Sequence, residues 1–486
     1  LTTLGILAVP TVAAGIATVT TTTTTSIVPG FIKNHTMEEV DSKPPPSSSV
    51  SQPHHKHVTL MDETEDLPPL FPFRLQDYLG FGVAVLGLLL AAGGGIGGGG
   101  ILVPTYILLL DFPVKHAIPL ASTTVFSGAI ANNLLNARKV HPDHLSRSVI
   151  DWELITQLEP MTILGALMGA VLNDFLPDLV LIVMMVLLLT VTAYKTLGKA
   201  HELNQKENKE RLERRHNNNG GDKLLGETTP LVTSTDDDKD KAGSIASSPV
   251  ITMDMERQAT TEEEHEEKFS RASFWAAIRL TALFAVVTVL NLFKGGPGES
   301  GGGPMGLEYC DGTCFWVVEV AIVVVIVVFA IHSRHDLLSR IKRGEPIPSD
   351  IVWTDENTIA YPCYAIVAGL VAGLFGVGGG IIKGPLMLAL SVHPAVASAT
   401  SACMILFTSS TATVSYMIFD LLVPDYAVFC LVVGFCSTIV GQTGMSMLLR
   451  RYERNSYIAY SIGFVVAVSA VAMGIESVIA ITEQKK

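Results

Sequence analysis

Apolar residues gather along this chain in long unbroken runs, separated by short polar breaks. The runs cover roughly 76–92, 101–110, 116–137, 152–172, 177–198, 274–293, 315–332, 359–376, 381–390, 393–419, 424–448 and 455–480. Most approach the ~20 residues that carry a helix across the ~30 Å of hydrocarbon in a bilayer. Two of them, 101–110 and 381–390, have about half that reach and are expected to be half-helices. The pattern predicts an all-α polytopic membrane protein with about ten transmembrane helices and two glycine-broken half-helices.

Each half-helix follows a glycine cluster. The first reads Gly93-Gly94-Gly95-Ile96-Gly97-Gly98-Gly99-Gly100-Ile101-Leu102-Val103-Pro104, and the second Gly376-Val377-Gly378-Gly379-Gly380-Ile381-Ile382-Lys383-Gly384-Pro385. In register, Gly95, Gly97, Gly98, Gly99 and Pro104 fall on Gly376, Gly378, Gly379, Gly380 and Pro385. Glycine this dense breaks a helix, and broken backbone at membrane depth must be buried in protein or line a wet cavity. Two such breaks in corresponding halves mark a transporter whose site lies between repeats.

Charge then orients the segments. The net charge of −13 sits largely in two hydrophilic stretches, near 38–66 and 199–270, and has little bearing on topology. Positive loops at Arg138-Lys139…Arg147, Arg334…Arg343 and Arg450…Arg454 are expected in the cytosol. Those at 111–115, 173–176, 294–314 and 420–425, poor in Lys and Arg, are expected on the other side. These assignments agree if each glycine break is a hairpin that enters and returns, and if the two halves are inverted repeats.

The resulting division is a signal-peptide remnant or extra helix (1–30), a disordered lumenal or extracellular tail (31–75) and a first repeat (76–198). A disordered cytosolic loop (199–271), two linker helices around a lumenal loop (272–357) and a second repeat (358–482) complete it. A positive mean hydropathy of +0.41 agrees with a membrane protein. No basic domain points to nucleic acid. No phosphate loop, HExxH or Gly-x-Ser-x-Gly signal points to an enzyme, an ATP-driven pump, a metal or a cofactor.

These features resemble the TauE/SafE (sulfite exporter) family, in its eukaryotic form. The resemblance rests on the duplicated glycine-then-proline motif and on the small, hydroxyl-rich segments that follow, Ala117–Thr124 and Ala397–Ala402. It covers roughly 76–198 and 359–480. It implies export or uptake of sulfite, sulfonates or related small sulfur-containing anions by an integral protein of the plasma membrane or an endomembrane. A channel-like anion pathway is the nearer alternative, and a scaffold or receptor using the 199–270 loop the more distant one.

A desolvated oxyanion needs fixed donors. Unhindered backbone N–H groups at Gly97, Gly98, Gly99, Gly100, Gly378, Gly379 and Gly380 can supply them, with the half-helix N-termini adding positive potential. Close helix packing is the competing reading of these glycines. Hydroxyls of Ser122, Thr123, Thr124, Thr400 and Ser401 are candidate donors, or else bond back to their own helices. Pro104 and Pro385 complete the two motifs. Lys383 has no counterpart in the first copy, where Leu102 stands, and is the candidate fixed cation. Glu159 is a candidate for a coupled proton or a structural hydrogen bond. Asn132, Asn133, Gln157 and Gln442 are weaker polar candidates. Cys310 and Cys314 are placed as a local disulfide in the lumenal loop.

Overall fold

The computed structural model describes residues 74–92, 95, 97–142, 147–224, 273–293, 312–345, 347, 349–452 and 456–483, and twelve helices run through them. The first repeat comprises α1 (Leu75–Ala92), α2 (Gly99–Leu108), α3 (Val114–Asn136), α4 (Trp152–Phe175) and α5 (Asp178–Leu224). Two connecting helices follow, α6 (Ser273–Phe293) and α7 (Gly312–Lys342). The second repeat comprises α8 (Asn357–Phe375), α9 (Gly380–Ala389), α10 (Pro394–Ile418), α11 (Pro424–Tyr452) and α12 (Ser456–Glu483). Among the described residues, eight helices are long and apolar enough to cross a membrane. The protein is an integral, multi-pass membrane protein.

Why α3 is not among those eight is instructive. Asn132, Asn133, Asn136 and a run of hydroxyls dilute its hydropathy, yet nearly every side chain on it is buried by protein. It is the interior helix of its repeat, and α10, equally buried, is its partner in the other. Lipid-facing helices look different: α7 and α11 expose Val320, Val324 and Val328, and Val428, Val432 and Val440.

Each glycine break is a hairpin. A methyl group built on Gly80 would meet Leu110 at 2.8 Å, one on Gly87 would meet Ile101 at 2.7 Å, and one on Gly98 would meet Leu88 at 3.0 Å. The chain therefore enters along α1, reverses, and returns along α2. Gly98 at φ 75° and Gly379 at φ 72° make the reversals, a backbone region that side chains rarely adopt.

The repeats are inverted. Ser122 on α3 lies against Ser409 and Thr413 on α10, while Asn133 donates to the Ala402 carbonyl (3.1 Å), so these equivalent helices run antiparallel. The same holds for α5 and α12, where Ser456 meets Glu207, Tyr460 meets His201 and Gly463 meets Leu197. Two helices cross over between repeats. α4 packs along α8 in the same direction, through Gly165 and Gly169 on one side and Gly369 and Gly373 on the other. α1 pairs with α11 likewise, with Phe81 beside Phe429 at one end and Leu89 beside Gly441 at the other.

Loops sort to two ends of the bundle. At one end His141 Nε2 lies 3.1 Å and Arg147 3.4 Å from Asp350, and Arg340 pairs with Glu153 at 2.8 Å. At the other, His116 Nδ1 lies 2.9 Å from the Leu421 carbonyl and Lys115 donates to the Asp174 carbonyl. Helix ends outside the apolar runs differ from the sequence reading: α7 continues to Lys342, past the expected end at 332. α5 continues to Leu224, past the expected loop start at 199, because this charged stretch is rich in helix-forming Lys and Glu. Lys199 pairs with Glu202, and Glu207 accepts from the Ser456 N–H (3.1 Å) and hydroxyl (2.7 Å) at the start of α12. The expected tail (31–75) falls almost wholly outside the described residues, as do the signal-peptide remnant and Cys310 of the expected disulfide, while Cys314 lies in the first turn of α7.

Candidate functional site

The two glycine elbows touch. A methyl group on Gly99 would stand 2.5 Å from the Val377 Cα, and one on Gly100 would stand 2.8 Å from Ile381 Cδ1. Gly99 and Gly380 open α2 and α9, so the N-termini of both half-helices converge on this junction from opposite repeats. Their first N–H groups lack intrahelical acceptors, and each terminus carries roughly half a positive charge. Pro104 and Pro385 lie inside these helices, where each removes the N–H that would bond the carbonyl four residues earlier, at Gly100 and Ile381.

The packing reading of the glycines has direct support here. On their Cα–H sides Gly97 and Gly378 press on the same residues, Val125 and Ile405, with Val125 Cγ1 2.8 and 2.6 Å from the added methyls. Gly95 similarly abuts the Ser398 carbonyl, and Gly376 the Ile118 carbonyl. Close approach is thus a reason for the glycines in itself.

This contact also fixes the repeat register. Val125 stands where Ile405 stands, so Ser122, Thr123 and Thr124 correspond to Ala402, Cys403 and Met404. Thr400 and Ser401 correspond to Leu120 and Ala121. The two hydroxyl groups are therefore not symmetry mates. Thr123 and Thr124 donate to the carbonyls of Pro119 (2.9 Å) and Leu120 (2.8 Å) on their own helix, and Thr124 also meets the Tyr106 hydroxyl. Ser122 reaches across to α10. Thr400 accepts from the Asp151 N–H at 3.0 Å, and the Ser401 hydroxyl, buried, has no partner among the described residues.

Lys383 is where the structure departs most from a lone cation. Its ammonium donates to Glu159 Oε2 (3.1 Å) and to Thr408 Oγ1 (2.9 Å), with both charged side chains essentially inaccessible. The candidate cation and the candidate proton carrier form one ion pair. The Thr408 hydroxyl donates a hydrogen bond to the Met404 carbonyl (2.7 Å) and lies 3.5 Å from the Gly378 carbonyl, which ties the pair to the second elbow. A methyl on Gly379 would touch Lys383 Cε at 3.3 Å, so the lysine stem runs back over the elbow. Glu159 Oε1 has no hydrogen-bond partner among the described residues.

Three of the remaining polar candidates bridge neighbouring segments. Asn133 bridges Ala129 and Ala402, and Gln157 donates to Ser333 on α7 (2.9 Å). With its amide turned to suit its neighbours, Gln442 donates to the Ala92 carbonyl (2.7 Å) and accepts from Lys139 (3.0 Å). Asn132 Oδ1 is buried without a partner among the described residues. No group of three or more His, Cys, Asp or Glu side chains that could hold a metal ion occurs among the described residues.

Two participants were missed from sequence. Thr408 opens the run Thr408-Ser409-Ser410-Thr411-Ala412-Thr413, whose density of hydroxyls on a buried helix was the available signal. Asp151 caps α4 by accepting from the Leu154 N–H (3.0 Å), and also accepts from the Ser349 hydroxyl (2.8 Å) and the Asp350 N–H (3.2 Å). Burial pushes its carboxyl up from 3.8 to about 6, against those three bonds and the Arg147 charge.

The family model for "Sulfite exporter TauE/SafE" matches residues 79–226 and 303–484. The chain belongs to the TauE/SafE family. Sulfite exporter TauE/SafE family protein 3 of Arabidopsis thaliana is 26% identical, covering 84% of this chain and 79% of its own length. Family proteins 2 and 1 of the same plant are 24% and 23% identical, covering 92% and 79% of this chain and 93% and 80% of their own lengths. No solved structure matches the chain. The TauE/SafE match takes in both elbows, the Glu159–Lys383–Thr408 group and, beyond the expected repeats, the connecting helix α7.

Proposed function

We propose that this chain is a secondary transporter that exports a small sulfur oxyanion or organosulfonate by alternating access around the elbow junction. The observation that carries the reading is the convergence of two half-helix N-termini, from oppositely oriented repeats, beside a buried lysine. Backbone N–H groups and helix dipoles replace much of the anion's water, which favours binding tight enough to strip hydration yet loose enough to release. The relatives are named sulfite exporters, which favours sulfite as the substrate class and export as the direction. The Lys/Arg-rich end that holds Arg147, Arg340 and Arg343 faces the cytosol. Pro104 and Pro385 hold the elbows, and Ser122, Ser401 and Thr408 add hydroxyls near the path.

Purified full-length protein in liposomes, offered sulfite, sulfate, thiosulfate and small sulfonates, tests this. One or more of these anions should move at rates well above those of empty liposomes. Lys383→Met should abolish the flux while the protein still inserts. Flux unchanged in that variant would remove Lys383 from the site, and absence of flux for every anion would end the reading.

A further inference from the structure

Glu159 and Lys383 make a neutral pair in a place where an uncompensated charge is costly. Glu159 is fully inaccessible and Lys383 nearly so, at 0% and 2% exposure. Two hydrogens of the ammonium are used, by Glu159 and Thr408, and the second carboxylate oxygen is unused among the described residues. The groups facing Glu159 are few. α9 presents Lys383, and α10 presents Thr408 and the Cys403 thiol. α8 packs on this part of α4 through Gly369 and Gly373. α7 meets flanking turns of α4 through Ser333 and Arg340, the latter already paired with Glu153.

The symmetry-related position has no such pair. Gly169 and Gly441 occupy equivalent places, packing on Leu370 and Leu89, which puts Leu431 where Glu159 stands. Leu102 stands for Lys383 and Gly128 for Thr408. Among the described residues a single ion pair thus stands at the junction of two otherwise matching elbows.

An anion arriving here meets a site whose net charge is already zero. If Glu159 stays ionised, the loaded site carries a net −1 out of water, and a buried charge without a partner is strongly unfavourable. If Glu159 takes up one proton, the carboxylic acid is neutral, Lys383 keeps its charge, and a monovalent anion takes the carboxylate's place against the ammonium. The net charge is then zero in both the empty and the loaded site. We infer that Glu159 carries one proton with each monovalent anion, exchanging its ion pair with Lys383 for the anion's, so that the protein is an electroneutral proton–anion cotransporter. This rests on the transporter reading above. It makes the direction of net flux follow the anion and proton gradients together, with no contribution from the membrane potential.

Methanesulfonate is the decisive probe, because the anion of a strong acid carries no proton itself. In liposomes holding the full-length protein and an internal pH dye, methanesulfonate entry should acidify the interior at a rate unaffected by a potassium–valinomycin voltage clamp. A one-unit pH difference, acid outside, should sustain about a tenfold accumulation of the anion, the equilibrium for one proton per charge. Glu159→Gln should move the anion without acidification and without pH-driven accumulation. Wild-type flux that follows voltage and moves no protons would overturn the inference and leave the transporter reading standing, as would wild-type accumulation in Glu159→Gln. A wild-type protein that moves no sulfite, thiosulfate or sulfonate would overturn both. The wild-type measurement needs no variant, so a poorly folded Glu159→Gln leaves the test intact.

Discussion

Asp151 illustrates how one side chain at a helix end can set the pH response of a whole membrane protein. It is buried at the Lys/Arg-rich end of the bundle, where it caps α4, holds the 349–350 turn and offers its own N–H to Thr400 on α10. Its carboxyl is raised from 3.8 to about 6, chiefly by burial. The folded protein therefore binds this proton more tightly than the unfolded chain does. Stability from this group is fully present below about pH 4 and is lost as pH rises through about 6, a penalty on the order of 3 kcal/mol at neutral pH. Thermal melts in detergent, taken as the difference between wild type and Asp151→Asn, should show the wild type losing stability relative to the variant between pH 4 and 6. A pH-independent difference would refute this. None of it was visible in the sequence, where Asp151 is one acidic residue before an apolar run. What a carboxyl experiences depends on the partners that the fold brings from residues 349, 350 and 400. Lys383 and Glu159 were each visible as charges inside apolar runs, but their pairing was not, because it spans two helices far apart in the chain.

At the scale of elements the hydrophobic runs located every helix, since length and apolarity are read directly by the bilayer. The ends of α5 and α7 were less legible, because a charged stretch outside the membrane can extend a helix as readily as it can form a loop. The glycines were legible as breaks but not as contacts. α4 and α8 cross with backbones in near touch: methyl groups on Gly165, Gly169, Gly369 or Gly373 would collide with the facing backbone. Such close packing stands in for the hydrophobic driving force that lipid removes. Gly369→Val or Gly373→Val should therefore leave little folded, monodisperse protein in detergent. Gly198 and Gly474 have open space at the same position, and alanine there should be neutral or gain up to about 1 kcal/mol of helix stability. Equal losses across both pairs, read by size-exclusion chromatography and thermal melts, would show that the crossing is not what the glycines provide.

For the whole molecule the inverted arrangement gives a topology that differs sharply from twelve simple crossings. Antiparallel packing of α3 on α10 and of α5 on α12 requires the repeats to face opposite ways, and the α1–α2 hairpin returns the chain to the end it entered from. The sequence anticipated this through charge alone, because only re-entrant hairpins put every Lys/Arg-rich loop on one side. It follows that Arg74 and Pro113, which bracket the first hairpin, lie on one face, and that Glu356 and Ser391, which bracket the second, lie on the opposite face. All four are exposed. In a background lacking all six native cysteines, single cysteines at 74 and 113 should react with an impermeant maleimide from outside intact cells. Cysteines at 356 and 391 should react only after permeabilisation. If either hairpin instead crossed the membrane as one broken helix, its two flanking positions would label from opposite sides. The half-helix N-termini could not then meet in opposition at mid-membrane, and the anion would lose the two dipoles that make the junction a site.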